Sequence, residues 1–97
     1  MPTFVWLARF GADFKSLTPA QQAAFLAAVE QFVEDLNKGG QLRKGLRVKG
    51  VRGVPGIFEM TWADDGRATF QYGAFVTPGE RHVIWRRIGT HHIFKQP

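Results

Sequence analysis

The stretch GIFEMTWADDGRATFQYG, residues 56–73, predicts a β-hairpin that decides how the chain folds. Asp64-Asp65-Gly66 at its centre fits a three-residue loop whose glycine takes a positive φ. With that loop Glu59 lies opposite Gln71, and the apolar side chains gather on one face. That face holds Phe58, Met60, Trp62, Ala68, Phe70 and Tyr72.

The other side of the hairpin, called the polar face below, holds Glu59, Thr61, Arg67, Thr69 and Gln71. A two-residue Asp65-Gly66 loop would move the pairing by one residue and mix polar with apolar side chains on both faces. The pattern therefore favours the three-residue loop, with one core face and one polar face. We expect the polar face to be open and to carry the function.

The composition indicates one small domain, residues 1–97, with an aromatic core that includes the three tryptophans. Cysteine is absent, which excludes a disulfide scaffold and a thiolate zinc site and fits a reducing compartment. No apolar run reaches the ~18 residues that span a membrane. The start, MPTFVWLARF, lacks the basic leader and cleavage site of a signal peptide. The sequence thus predicts a soluble, cytoplasmic protein.

The net charge of +5 is concentrated in the second part of the chain. Residues 1–40 carry three Lys and Arg against four Asp and Glu, whereas residues 41–97 carry ten against four. Such an excess on a small domain favours a polyanionic partner, nucleic acid first and an anionic membrane second, over a merely solvated loop. The densest part, residues 43–52, is called the basic segment and contains Arg43, Lys44, Arg47, Lys49 and Arg52.

The first part of the chain predicts a strand and two helices. Thr3–Arg9 is mostly apolar and predicts a buried strand, and Phe10–Leu17 predicts a short helix. A longer helix begins after Thr18, an N-cap residue that forms a capping box with Gln21. It ends at Gly39-Gly40 and presents one apolar stripe, which we expect to cover the core face of the hairpin.

The rest of the chain predicts strands. Leu46–Val51 predicts a strand or an extended lead-in, and Arg52–Gly56 a turn. His82–Gly89 predicts a strong strand because it is rich in Val, Ile and Trp. The order is β-α-α-β-β-β, an α+β fold in which an antiparallel sheet is covered on one face by two N-terminal helices.

Several side chains on or near the polar face could carry chemistry. At ~3.3 Å per residue, the backbones of Glu59 and Arg67 are expected about 13 Å apart. Arg86 and Arg87 are consecutive, so strict alternation puts them on opposite faces. His91 suits a general acid or base near neutral pH. The pair His91-His92 is a poor metal site, because adjacent side chains diverge in an extended chain.

Three segments resemble the RelE/ParE superfamily of bacterial toxin–antitoxin toxins: LRVKGVRGVPG (46–56), the hairpin with its FEM and DGRATFQYG pieces, and VIWRRIGTHHIF (83–94). The resemblance covers nearly the whole chain as a pattern. It implies a RelE-like fold and a toxin that cleaves messenger RNA, usually on the ribosome, with no metal or cofactor. It also implies neutralisation by a small, acidic antitoxin.

The resemblance implies three catalytic residues. Glu59, or Lys49, would take the proton of a ribose 2′-OH, Arg67 would stabilise charge on the phosphate, and His91 would protonate the leaving 5′ oxygen. Arg86 or Arg87 would assist at the phosphate, and the basic segment would hold flanking phosphates. The predicted RNA-binding set is Arg43, Lys44, Arg47, Lys49, Arg52, Arg86 and Arg87.

The chain departs from the superfamily pattern at four positions. Thr61 and Thr69 stand where many members carry arginine, and His92 replaces a common acidic residue. Phe94 stands where a catalytic tyrosine is often found, and it has no hydroxyl. The loss of the tyrosine favours two alternatives: a ParE-like toxin that inhibits DNA gyrase, or a non-catalytic nucleic-acid-binding protein on the same fold.

Overall fold

A mixed five-stranded sheet forms the centre of the computed structural model, which describes residues 2–97. The strand order is β1-β5-β4-β3-β2, and β1 pairs with β5 in parallel whereas the other pairs are antiparallel. The predicted α+β class is confirmed. The elements are β1 (Thr3–Trp6), α1 (Ala8–Lys15), α2 (Pro19–Asn37), β2 (Lys49–Gly50), β3 (Phe58–Thr61), β4 (Arg67–Gly73) and β5 (His82–Gly89), with 3-10 helices at Lys44–Leu46 and His91–Lys95.

Helix α2 begins and ends where the sequence predicts. The Thr18 side chain accepts a hydrogen bond from the Gln21 backbone N–H at 3.1 Å, and the Gln21 side chain accepts one from the Thr18 N–H at 2.8 Å. This reciprocal capping box satisfies two N–H groups that have no partner inside the helix. Past the C-terminus, Gly39 and Gly40 take φ values of 113° and 83°, which favour glycine and stop the helix.

Aromatic rings join α2 to the sheet. Phe25 and Phe32 lie against Trp85 with ring centroids 5.3 and 5.6 Å apart, and Phe32 also meets Phe70 at 5.2 Å. Phe10 of α1 completes this cluster at 5.9 Å from Trp85. Edge-to-face pairs of this kind add ~0.5–1.5 kcal/mol each to the free energy gained by burying the rings. The predicted packing of α2 on the hairpin core face is confirmed.

The hairpin register differs from the predicted one by two residues. Glu59 lies opposite Thr69, rather than Gln71, and Thr61 lies opposite Arg67. Because side chains alternate with a period of two, this shift leaves every residue on its predicted face. The core face is buried as expected, with Met60, Ala68 and Phe70 fully inaccessible.

The cause of the shift lies in the turn between β3 and β4. The Trp62 N–H donates to the Gly66 carbonyl at 3.1 Å, and the Gly66 N–H donates to the Ala63 carbonyl at 3.0 Å. Gly66 does not take the predicted positive φ. It is needed instead for a close approach, because a Cβ at this position would lie 2.6 Å from the Trp62 ring. Because the Trp62 side chain packs over Gly66, the three-residue loop begins one residue earlier than predicted.

The N-terminal strand is shorter and more exposed than predicted, and the first helix begins two residues earlier. The strand ends at Trp6, and α1 spans Ala8–Lys15 rather than Phe10–Leu17. Strand β1 is an edge strand, so Val5 and Trp6 keep 47% and 67% of their surface exposed. The predictions of a buried strand and of a core position for Trp6 were wrong, whereas Trp62 and Trp85 are buried.

A β-bulge in the pairing of β4 with β5 breaks the predicted alternation of Arg86 and Arg87. Thr69 pairs with Arg87 but Phe70 pairs with Trp85, so Arg86 is the extra residue. Trp85 and Ile88 consequently both reach the core. Arg86 contacts Gln71 on the polar face, and the prediction that the two arginines occupy opposite faces by strict alternation does not hold.

The polar face is partly covered by the chain itself, which corrects the expectation of an open face. The C-terminal 3-10 helix His91–Lys95 contacts β5, and its Ile93 is fully buried. Thr69, in the middle of the polar face, is also fully buried. Accessible polar groups are therefore confined to the margins of this face. Within residues 2–97, no helix has the length and apolar character to cross a membrane.

Candidate active site

A row of side chains crosses the sheet at Glu59. The register aligns Lys49 of β2 with Glu59 of β3, Glu59 with Thr69 of β4, and Thr69 with Arg87 of β5. Lys49 Nζ lies 3.8 Å from the Glu59 carboxylate. The Glu59 side chain is only 12% exposed, whereas that of Lys49 is 69% exposed. Glu59 is thus a sheltered carboxylate whose cationic partner reaches into solvent.

Arg67 lies closer to Glu59 than predicted. With Glu59 opposite Thr69, Arg67 is its diagonal neighbour, and such backbones are about 7–8 Å apart. The expected separation of about 13 Å was wrong because it rested on the shifted register. Arg67 Nη1 donates to the carbonyls of Ala63, Asp64 and Gly66 at 2.9–3.2 Å. Its guanidinium therefore holds the β3–β4 turn at the edge of the site.

His91 is oriented by a carboxylate from that same turn. Its Nδ1 is hydrogen-bonded to the Asp65 side chain. This bond from His91, more than the nearby charge of Arg67, holds the pKa of Asp65 below its ordinary value. The Phe94 ring lies edge-on to His91 at 5.7 Å. Since Nδ1 is occupied, Nε2 is the nitrogen that can exchange a proton with a ligand.

Sequence reasoning missed Asp65. It lies 26 residues before His91, and the sequence pattern indicates only that it belongs to the hairpin turn. A usable signal is the strand order: Gly89 pairs with Arg67, so the residues that follow β5 come next to the β3–β4 turn. The structure therefore brings Asp65, Arg67 and His91 to one end of the polar face, with Glu59 two residues along the sheet.

Three of the predicted RNA-binding arginines are held in internal contacts. Arg43 binds Asp35 through Nη2 at 2.8 Å and Nε at 2.9 Å, and these bonds lower the pKa of Asp35 to about 2. Arg87 binds Asp13 of α1, with Nε 2.6 Å from the carboxylate. Arg86 donates to the Gln71 side chain and to a main-chain oxygen of Pro97.

The other four predicted cations are exposed: Lys44, Arg47, Lys49 and Arg52. Leu46, which is 2% exposed, anchors the basic segment from within. Arg47 takes a left-handed φ of 49°, so the chain turns sharply there between the 3-10 helix and β2. The segment therefore displays four exposed cations, of which Lys49 reaches Glu59.

The histidines do not form a metal site in the described part of the chain. His92 Nδ1 lies 2.7 Å from the Thr90 hydroxyl, and His82 Nδ1 lies 2.7 Å from the Thr3 hydroxyl on the far edge. Among residues 2–97, no three His, Asp or Glu side chains are grouped closely enough to hold a metal ion.

The fold is similar to that of solved bacterial and archaeal toxins. The toxin in the Escherichia coli DinJ-YafQ toxin-antitoxin complex superposes with a TM-score of 0.61 at 15% identity, over 94% of this chain and 93% of that one. The YoeB/ParE toxin from Agrobacterium tumefaciens gives a TM-score of 0.65 at 10% identity, over 92% and 98%. The Methanococcus jannaschii RelB-RelE antitoxin-toxin complex gives 0.61 at 13% identity, over 95% of each chain.

This chain has the RelE/ParE toxin fold. No protein-family model matches it, and no curated protein sequence matches it significantly. At 10–16% identity the likeness to the RelE-like structures is one of fold alone. The roles of individual side chains therefore rest on the geometry of this molecule.

Proposed function

We propose that this protein is a RelE-like toxin that cleaves messenger RNA on the ribosome, in the cytoplasm, without a metal or cofactor. The observation that carries the proposal is the hydrogen bond that orients His91 on Asp65 at the end of the polar face where Arg67 and Glu59 also lie. A carboxylate-oriented histidine beside a cation and a second carboxylate can move protons around a phosphodiester.

The reaction transfers one proton at each side of the phosphorus atom. The Glu59 carboxylate takes the proton of a ribose 2′-OH, and the 2′ oxygen forms a bond to the adjacent phosphorus. The bond from phosphorus to the 5′ oxygen breaks, and that oxygen takes a proton from Nε2 of His91. Charge that develops on the phosphate oxygens is stabilised by Arg67. The products are a 2′,3′-cyclic phosphate and a 5′-OH.

The exposed cations of the basic segment fit the role of holding the message. Lys44, Arg47 and Arg52 are close in sequence to β2, the edge strand in which Lys49 pairs with Glu59. Contacts from such side chains to phosphates give an affinity that falls steeply with salt, independent of base sequence. Phe94, which stands in place of a tyrosine, packs against His91 and leaves proton transfer to the histidine.

An acidic antitoxin is the proposed protein partner. Solved structures of this fold include the DinJ-YafQ and RelB-RelE toxin-antitoxin complexes. A net charge of +5, with its excess in residues 41–97, is complementary to an acidic chain. Co-expression with an acidic open reading frame adjacent to this gene should yield a complex that co-elutes on size exclusion and blocks the toxin.

Gyrase inhibition is the second candidate. It is favoured by the likeness to the YoeB/ParE toxin and by the absence of a hydroxyl at Phe94. A purified preparation distinguishes the candidates when it is added separately to a translation extract and to a gyrase supercoiling assay. Cleaved message with normal supercoiling supports the proposal, whereas intact message with arrested gyrase supports the second candidate. RNA that is bound but never cut indicates a non-catalytic binding protein.

Variants assign the site. His91→Ala should lower the rate of message cleavage by about 100-fold or more, because general acid–base groups typically contribute that much. Glu59→Gln should act in the same direction. His92→Ala is the matched control: its side chain is exposed and bonded only to Thr90 among the described residues, so cleavage should stay within about twofold. Equal cleavage by His91→Ala and His92→Ala would show that the site is wrongly assigned.

A further inference from the structure

A crevice of about 250 Å³ opens on the polar face, away from His91. Arg86 locates the crevice on the sheet, because Arg86 Nη1 donates a hydrogen bond to the side chain of Gln71 on the polar face. Gln71 lies four residues along β4 from Arg67, a distance of about 13 Å at ~3.3 Å per residue. The crevice is lined by Leu7, Arg9, Val54, Arg86, Arg87, Gln96 and Pro97.

The charges of the two consecutive arginines are balanced differently. Arg87 is 11% exposed and faces the carboxylate of Asp13, with which it forms a salt bridge. Arg86 is half-buried, and its partners are the side-chain oxygen of Gln71 and a main-chain oxygen of Pro97. Among residues 2–97 no Asp or Glu side chain forms a salt bridge with Arg86. A half-buried cation of this kind is stabilised when an anion reaches it from outside.

Arg9 adds a second available cation to the crevice. It is exposed in the first turn of α1, which contains no acidic side chain. Leu7, the N-cap residue of α1, provides no side-chain hydrogen bond to the helix. The first N–H groups of α1 thus strengthen the positive potential that Arg9 and Arg86 create.

The C-terminal residues lie where an anion would bind. The main-chain oxygen of Gln96 accepts a hydrogen bond from Arg87 Nη1 at 3.0 Å, and that of Pro97 accepts one from Arg86 Nε at 3.1 Å. Two oxygens presented to neighbouring guanidinium groups resemble the oxygens of a phosphate, an anion that forms charge-assisted hydrogen bonds with arginine.

We propose that this crevice is a second phosphate-binding site, in which Arg86 and Arg9 hold a backbone phosphodiester of the RNA and displace residues 96–97. The identity of the ligand rests on the proposed function. Because Arg86 is bonded to Gln71, which lies about 13 Å along β4 from Arg67, the phosphate that Arg86 holds is not the scissile one but one farther along the same RNA strand. Residues 96–97 lower the affinity for RNA because the RNA strand must displace them.

The test uses a fluorescent single-stranded hexanucleotide with 2′-deoxyribose, which can bind but cannot be cleaved through a 2′-OH. Arg86→Gln and Arg9→Gln should each weaken its binding about fivefold to tenfold and reduce the salt slope by about 0.7. Arg81→Gln is the control, because Arg81 is exposed and stacks on Tyr72 at 4.3 Å, and its effect should stay under twofold. A chain ending at Lys95 should bind about threefold more tightly.

Equal weakening by the Arg86, Arg9 and Arg81 variants would overturn the site, since charge alone would then explain binding. Weaker binding by the chain ending at Lys95 would overturn displacement of the tail. If a thermal melt shows that Arg86→Gln alters folding, Arg9→Gln still tests the phosphate-binding site, because Arg9 is on the exposed surface of the helix. Cleavage of the matching ribonucleotide is measured separately. If the protein binds the strand through Arg86 but does not cleave the ribonucleotide, the proposed function is contradicted and the phosphate-binding site in the crevice is not.

Discussion

Two sets of cationic side chains behave differently in the folded chain. Arg43, Arg86 and Arg87 are held by side-chain and main-chain oxygens of the protein itself. Lys44, Arg47, Lys49 and Arg52 extend into solvent. The difference teaches that charge counted in a sequence is not charge available to a ligand. The bound set contributes to the stability of the fold, and the exposed set is the part of the surface that can attract RNA without any rearrangement of the chain.

The largest effect on stability is expected at Arg87. Arg87→Met removes the partner of Asp13, and the side chains of Arg87 and Asp13 are only 11% and 19% exposed. Breaking a buried ion pair by removing one partner costs about 3 kcal/mol, because the other charge is left without compensation. Urea denaturation at neutral pH measures the loss. Lys15→Met is the control, because Lys15 is exposed on α1, the helix that carries Asp13; it should change stability by less than ~0.5 kcal/mol. Equal losses for the two variants would contradict the difference between bound and exposed cations.

A smaller, pH-dependent effect is expected at Arg43. Because Asp35 has its pKa lowered to about 2 in the folded chain, its contribution to stability is full above its ordinary value of 3.8 and is lost as pH falls towards about 2. Arg43→Met should therefore be less stable than the parent above about pH 4, and the difference should shrink in stronger acid.

The measurement is the urea denaturation midpoint of the parent and of Arg43→Met at several pH values between 2 and 7. Lys38→Met is the reference, because Lys38 pairs with Glu34 at 3.0 Å but its side chain is 71% exposed. Pairs of that kind contribute ~0–1 kcal/mol. A gap between Arg43→Met and the parent that is constant over the whole pH range would show that Asp35 is not the group concerned.

The smallest effect on stability is expected for the exposed set. A variant with Lys44, Arg47, Lys49 and Arg52 all changed to Gln should unfold within ~0.5 kcal/mol of the parent. Its binding to single-stranded RNA should nevertheless fall steeply, and the slope of log affinity against log salt should decrease by about 3, at ~0.7 per phosphate contact. An unchanged slope would show that these side chains do not meet the RNA.

Much of the fold could be predicted because its signals are local. The capping box of Thr18 and Gln21 and the terminal glycines fix the ends of α2, and alternation in the hairpin fixes its two faces. The register could not be predicted from alternation, since shifts of two residues leave the faces unchanged. Packing of the Trp62 ring on Gly66 decides it, and that contact is tertiary.

The site was predicted less completely. Glu59, Arg67 and His91 were identified from a resemblance, and the structure gathers Arg67 and His91 around one turn. Asp65 was missed because its proximity to His91 depends on β5 lying beside β4. The internal roles of Arg86 and Arg87 also escaped sequence reasoning, because both alternating sets of β5 are apolar and the bulge cannot be located from them.

The central claim is that Asp65 orients His91 for proton transfer at a phosphodiester. Asp64 and Asp65 are adjacent exposed acids in the same turn, and only Asp65 binds the histidine, so the two provide a matched pair. The decisive measurement is the rate of message cleavage by Asp65→Asn and Asp64→Asn, with mapping of RNA 5′ ends. We predict a loss of about 10–100-fold for Asp65→Asn and less than twofold for Asp64→Asn. Equal rates for the two variants would contradict the account.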